Sequence, residues 1–193
     1  IKDDPISFFK EWFRQADLSP EIEEANAMTL STLGLDNFPK GRVVLLKSLT
    51  DEGFVFYTNY QSEKALGIEH HSKIGISFFW PILERQVIIK GEAFKLEAKI
   101  SDVYFKSRPK GSQIGAIVSD QSKVISDRSI IEAKQEALEI EYTNKDIERP
   151  EHWGGYLVKP ISIEFWQGRP NRLHDRIRCQ LQGNFWNIER LAP

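Results

Sequence analysis

The last third of the chain leaves little freedom of fold. Residues 155–168, 173–180 and 185–191 have the pattern of strands, and the links at 168–171 and 182–184 carry Gly168, Pro170, Asn171, Gly183 and Asn184. Links this short join antiparallel neighbours, because a parallel return needs a crossover of about a dozen residues or more. The segment is therefore predicted to be a meander. Upstream, residues 28–34 and 42–49 also read as strands, and Asp51-Glu52-Gly53 turns the chain into 54–58, so a hairpin is expected there. Two more strands, 73–80 and 84–96, flank Pro81, a residue without the N–H a central ladder needs.

Helical periodicity is confined to the margins. In residues 5–14, Ile6, Phe9 and Phe13 recur at three- and four-residue spacing with Trp12 beside them. Ser19-Pro20 reads as the cap and first position of a second helix, which gives a helical N-terminal segment over about 5–27. Ser62 is placed to cap a short helix to about residue 69. A helical insertion over about 99–142 holds patterns at 100–107 and 129–142, with a Gly/Ser/Lys stretch between them left unassigned. No strand–helix alternation recurs, which excludes a doubly wound parallel sheet. The expected fold is mainly β, an antiparallel barrel of six to seven strands with peripheral helices, in one domain over 1–193.

Composition narrows the function classes. Against 26 basic residues stand 28 acidic ones, a formal charge of −2, so bulk charge does not hold this chain to nucleic acid. Cys179 is the single cysteine, which rules out an intrachain disulfide, and it reads as a small buried hydrophobe. The longest apolar stretches are far short of the ~20 residues of a membrane span. A cytoplasmic location is the default expectation, although Ile1 in place of methionine leaves an upstream start and a targeting segment open.

Three groupings carry possible chemistry. Tyr104, Arg108 and Ser112 are spaced by four, and two hydroxyls with a guanidinium at one helix end form a phosphate hook, or else ordinary surface polarity. Arg172, His174 and Arg176 alternate with Leu173, Asp175 and Ile177; if extended, they share one face, either solvated or lining a pocket for a planar anion. Arg42 and Lys47 bracket Val43-Val44-Leu45-Leu46, on opposite faces of a regular strand. Gln86, an amide in an apolar strand, requires a partner. His70, His71 and His152 lack metal-ligand spacing, and Gly111–Gly115 lacks the lysine of a phosphate loop, so no metal site is expected. The five tryptophans are scattered among apolar neighbours and read as core or subunit interface.

Taken together, RVVLLK at 42–47, FYTN at 56–59, ERQV at 84–87, YFKSRPKGSQIGA at 104–116, QS at 121–122, IEFWQGRPNRLHDR at 163–176 and WNIERLAP at 186–193 resemble the pyridoxamine 5′-phosphate oxidase family. The resemblance implies a split β-barrel of the FMN-binding type, assembled as a homodimer with FMN at the interface. It implies FMN contacts from Arg42, Val43, Val44, Leu45, Leu46, Lys47, Tyr57, Thr58, Lys64, Gln86, Gln121, Ser122, Trp166 and Arg176. Lys47 would also approach the substrate, Tyr104, Arg108 and Ser112 would hold its phosphate, and Arg172 and His174 would cover its ring as the catalytic pair. The implied reaction oxidises pyridoxine or pyridoxamine 5′-phosphate with molecular oxygen. One position departs from the family pattern: Glu63 stands before Lys64, where a basic residue is common. Two rivals stay open, a split-barrel flavin oxidoreductase with another substrate and a non-catalytic FMN- or pyridoxal-phosphate-binding protein.

Overall fold

The computed structural model describes residues 4–193. Its first element, α1 (Pro5–Asp17), starts where Asp4 accepts hydrogen bonds from the amides of Ile6 and Ser7, both at 3.0 Å, with Pro5 in the first turn. The apolar stripe of α1 is aromatic. Phe9 packs edge-on to Phe54 and against Phe78, and Trp12 packs edge-on to Phe165, so the helix closes one end of the core. The second helix expected after Ser19 does not form. Residues 18–26 are successive turns, one of them closed by the Ile22 amide on the Ser19 carbonyl.

The strands are β1 (Ala27–Leu33), β2 (Pro39–Leu45), β3 (Ser48–Leu49), β4 (Phe54–Asn59), β5 (Lys73–Trp80), β6 (Arg85–Lys95), β7 (Trp153–Gln167), β8 (Asp175–Gln182) and β9 (Phe185–Leu191). They form one curled antiparallel sheet whose main path runs β2-β1-β5-β6-β7-β4-β3, with β8 and β9 continuing from β7. The mainly β, split-barrel expectation holds. The run at 42–49 is not one strand, however. β2 pairs with β1, β3 pairs with β4, and the chain breaks at Leu46-Lys47, where the Leu46 amide turns to Asn26 and the Lys47 amide to Val55. The break carries the chain from one end of the sheet path to the other, which brings β2 against β4 and curls the sheet.

Strand β7 is the hinge of the architecture. Residues 153–158 pair with β4 and residues 162–167 with β8, while β6 runs along its other edge with a register shift at Lys90/Gly91. The C-terminal meander forms as expected, apart from its middle strand starting at Asp175 rather than at 173.

Helix α2 (Glu63–His70) follows β4, and α3 (Ala98–Ser107), α4 (Lys110–Val118) and α5 (Ser129–Glu141) form the insertion. α4 occupies the stretch that sequence left unassigned. It lays Ile114, Ala116 and Val118 with Phe105, Ile147 and Trp153 into a second apolar cluster beside the barrel. Cys179 is fully buried in the barrel core, and burial pushes its thiol up to about 11, so it is an inert packing group. Among the described residues no helix is long and apolar enough to cross a membrane.

Candidate active site

A cleft of about 500 Å³ opens between β2, the C-terminal end of β4, and the α3–α4 turn. Val43, Val44, Leu45 and Lys47 line one side, Tyr57, Thr58, Asn59 and Lys64 the floor, and Tyr104, Arg108, Ser112, Gly115, Ala116, Ser119, Gln121 and Trp153 the other side.

Lys64 lies on α2 but turns its ammonium inward. It donates to Gln121 Oε1 at 3.0 Å and to the hydroxyls of Thr58 and Ser62 at 3.3 Å, with no carboxylate among these partners. Ser62 thus receives a lysine rather than capping its helix; the Glu63 amide instead donates to Ser122 Oγ, from a residue with φ of 74°. Burial, then the field of Arg42, pulls the Lys64 pKa below the ordinary lysine value. A half-desolvated ammonium held by neutral oxygens is a ready site for an anion. Glu63 turns away from it: its carboxylate takes Lys40 Nζ at 2.7 and 2.9 Å on the surface.

The second cationic corner of the cleft is built from two helices and the turn between them. Arg108 ends α3 in an extended conformation and Pro109 opens α4, which brings Ser112 back over the end of α3. The spacing of four is therefore not one continuous helical face, yet all three hook residues border the cleft. Gln113 Nε2 holds the junction by donating to the carbonyls of Arg108, Phe105 and Lys106. Tyr57 stacks on Tyr104 at 3.9 Å between ring centroids, and Trp153 lies nearly parallel to both. A Cβ on Gly155 would come within 2.8 Å of the Tyr57 ring, so only glycine lets that ring lie flat on β7. The Arg108 guanidinium sits 4.6 Å over Trp153, and its Nη1 is buried without a hydrogen-bond partner. Burial lowers the Arg108 pKa and raises those of Tyr104 and Tyr57.

Other predicted residues stand elsewhere. Arg42 Nη1 bonds the Leu30 carbonyl and Thr32 Oγ1, and Leu46 is core. Ser122 borders a neighbouring hollow that shares Gln121 with the cleft. Gln86 pairs with Ser77 Oγ, and cross-strand register puts Phe79, Gln86, Trp166 and Arg176 in one row across β5, β6, β7 and β8. Arg176 is ion-paired to Glu164 at 2.8 Å. The shared face of Arg172, His174 and Arg176 required an extended segment, and only Arg176 is in one. Asn171 and Arg172 both have positive φ, near 60°, in a tight turn before β8, so Arg172 and His174 are not strand residues. His174 packs on Trp166 at 4.6 Å and its Nδ1 accepts the Arg169 amide. One chain therefore brings together the cleft group but not the Gln86, Trp166, Arg172, His174 and Arg176 group, none of which lines the cleft. Asn59, Ser119 and Trp153 were not anticipated; Asn59 lay within the FYTN stretch, and Trp153 carried no local signal.

The model of the family described as "Pyridoxamine 5'-phosphate oxidase" matches residues 15–141, and that of the family described as "Pyridoxine 5'-phosphate oxidase C-terminal dimerisation region" matches residues 153–193. The chain belongs to the pyridoxamine 5′-phosphate oxidase family. Relatives of this family named pyridoxine/pyridoxamine 5′-phosphate oxidase include one from Flavobacterium psychrophilum, 58% identical over all of this chain and 91% of its own length. Another, from Cyanothece sp., is 49% identical over all of this chain and 90% of its own length. Among solved structures, PhzG from Burkholderia lata, in complex with tetrahydrophenazine-1-carboxylic acid, superposes with a TM-score of 0.93 at 28% identity, over 99% of this chain and 93% of that one. An FMN-binding protein of Nostoc punctiforme related to pyridoxamine 5′-phosphate oxidases shares the fold, with a TM-score of 0.77 at 14% identity over 100% of this chain and 99% of that one. Among the described residues no cluster of three or more metal-ligating side chains occurs.

Proposed function

We infer that the protein is an FMN-dependent pyridoxine/pyridoxamine 5′-phosphate oxidase. It oxidises C4′ of either phosphorylated vitamer to the aldehyde of pyridoxal 5′-phosphate, with one O₂ reduced to hydrogen peroxide. The alcohol loses two hydrogens; the amine also takes up water and releases ammonia. The observation that carries the reading is the pair of anion sites at separate points of one cleft. Lys64 answers a cofactor phosphate, and Arg108, with its buried unpartnered Nη1, answers a substrate phosphate.

The residues present fit FMN. Lys64, with Thr58 and Gln121, would hold its phosphate, and Val43 to Leu45 with Lys47 would border the ring. When bound, FMN supplies the two-electron oxidant that O₂ regenerates. The chain's own work is binding and orientation. Arg108, Tyr104 and Ser112 anchor the phosphate, charge-assisted hydrogen bonds being the strong ones. Arg172 and His174 hold the reacting end of the ring, since a bound near-attack geometry supplies much of the rate.

These two groups lie apart in one chain, and a second copy is the source of the missing half. The protein works as a homodimer in which the row through Gln86, Trp166 and Arg176, with Arg172 and His174 beside it, completes the partner's cleft. A family region described as a dimerisation region, matching residues 153–193, supports this. A cytoplasmic location accords with a small phosphorylated substrate. The test is to record the visible spectrum of the purified protein and assay peroxide with each phosphorylated vitamer. A yellow protein that makes peroxide is expected. A protein that binds FMN but leaves both vitamers unoxidised would overturn the enzymatic reading.

A further inference from the structure

Arg108 presents an unusual problem for a phosphate ligand. Its guanidinium is half-buried, its Nη1 has no hydrogen-bond partner, and among the described residues no carboxylate lies within ion-pair distance of it. An arginine in this state has no hydrogen bond or ion pair to hold its plane before the substrate arrives. What it has is a ring: the guanidinium carbon stands 4.6 Å over the Trp153 indole, against 5.7 Å over Phe105.

The indole is itself held from several sides. Phe105 packs edge-on to it at 5.3 Å, and the Tyr57–Tyr104 stack lies parallel beside it. Its backbone is tied to the same helix that carries Arg108. The Trp153 carbonyl accepts Arg149 Nη1 at 2.6 Å, and Arg149 Nε bonds Asp102 of α3 at 2.6 Å. Asp102, Arg149, Trp153 and Arg108 thus close a loop from the middle of α3 to its end.

We propose that Trp153 is a positioning residue for substrate phosphate: its indole face holds the Arg108 guanidinium in the plane that receives the phosphate, so that affinity for the phosphorylated substrate is set one residue behind the ligand. The inference rests on the reading of Arg108 as the substrate-phosphate ligand. A ring face attracts a guanidinium through its quadrupole, most strongly for tryptophan and less for phenylalanine. An arginine fixed before binding loses less freedom when the ligand arrives.

The test is a double-mutant cycle on the FMN-loaded enzyme with pyridoxine 5′-phosphate as the varied substrate. Trp153→Leu is expected to raise KM about tenfold and Trp153→Phe about threefold, with kcat within about twofold and the flavin spectrum unchanged. In an Arg108→Ala background neither substitution should raise KM further, because the partner they act through is gone. The inference is overturned if Trp153→Leu leaves KM unchanged, if its effect persists in full beside Arg108→Ala, or if kcat falls as far as KM rises, the last being the mark of general damage. Should Trp153→Leu not fold, the cycle with Trp153→Phe decides by the same criteria. A separate result, Arg108→Ala with unaltered KM, overturns the phosphate reading itself and this inference with it.

Discussion

In the proposed function, two cations with different surroundings divide the work of the cleft. Lys64 pays for its burial in a lowered pKa, and an anion that settles on it removes that cost. FMN phosphate is a dianion above about pH 7, so its own titration is complete there. FMN affinity should therefore fall as pH rises from 7.5 toward the ordinary lysine value of 10.5, beginning earlier than a normal lysine would allow, because the protonated form binds. Fluorescence titration of apoprotein with FMN across that window measures it, and Lys64→Met should be weaker throughout and nearly flat. Glu63 sits beside this site but spends its charge on Lys40 at the exposed surface, where such a pair contributes little, ~0–1 kcal/mol. Glu63→Arg should leave turnover within about twofold and tighten FMN modestly; clear weakening in the same titration would mean that the Lys40–Glu63 pair itself supports the cofactor. In the proposed function, Arg108 and Arg172 separate binding from chemistry. Arg108→Ala removes an interaction made equally in ground and transition states, so KM rises strongly and kcat changes less. Arg172→Ala should lower kcat as well, since it is assigned to the reacting end of the ring. Both proteins should purify yellow, and flavin reduction in anaerobic single turnovers at saturating substrate should slow only in the Arg172 variant.

At the scale of elements, the decisive feature is the junction of α3 and α4. A helix end leaves carbonyls without donors, and here one side-chain amide, that of Gln113, reaches those of Lys106 and Arg108, together with that of Phe105, which also accepts the Arg108 amide. That amide is what lets the chain leave α3 at Arg108 in an extended conformation and re-enter a helix after Pro109. Gln113→Ala should cost about 1 kcal/mol, which for a domain of this size lowers Tm by roughly 2–4 °C. It should also raise KM for the phosphorylated substrate without removing FMN, because Arg108 and Ser112 lose their relative placement while Lys64 does not. Calorimetry and steady-state kinetics on one preparation test both halves; a fall in Tm with KM unchanged would confine Gln113 to stability.

At the scale of the molecule, the outer face of the sheet exposes Val43, Phe79 and Ile88, and Phe79 is 60% exposed in the same row as Gln86, Trp166 and Arg176. In the proposed homodimer, an aromatic so exposed, aligned with the residues assigned to the partner's cleft, is expected at the centre of the subunit contact. Phe79→Asp should yield a monomer by sedimentation velocity and lose FMN together with turnover, although Phe79 does not line the cleft. A monomeric variant that keeps stoichiometric FMN and full activity would show that one chain suffices.

Much of this was legible along the chain because it depends on neighbours in sequence. The aromatic stripe of α1, the strand at Lys73–Trp80, the meander and its turn residues all follow from local periodicity and backbone preference, and the spacing of Tyr104, Arg108 and Ser112 set them apart as a group that the structure brings to one cleft. Local signals misled where a distant partner overruled them. Residues 42–49 have the composition of one strand, yet β2 is drawn to β1 and β3 to β4, and the chain breaks between them. Arg172, His174 and Arg176 alternate with Leu173, Asp175 and Ile177, yet the turn into β8 takes the first two off the strand. Trp153 gave no sign of its place, since its meeting with Arg108 depends on β7 passing behind α3, a contact between residues far apart in the chain. Periodicity and turn chemistry determined most of the elements, though not the turns after Ser19 or helix α4. Which of them meet, and so which side chains share a cleft, was decided by long-range pairing and packing that no local window contains.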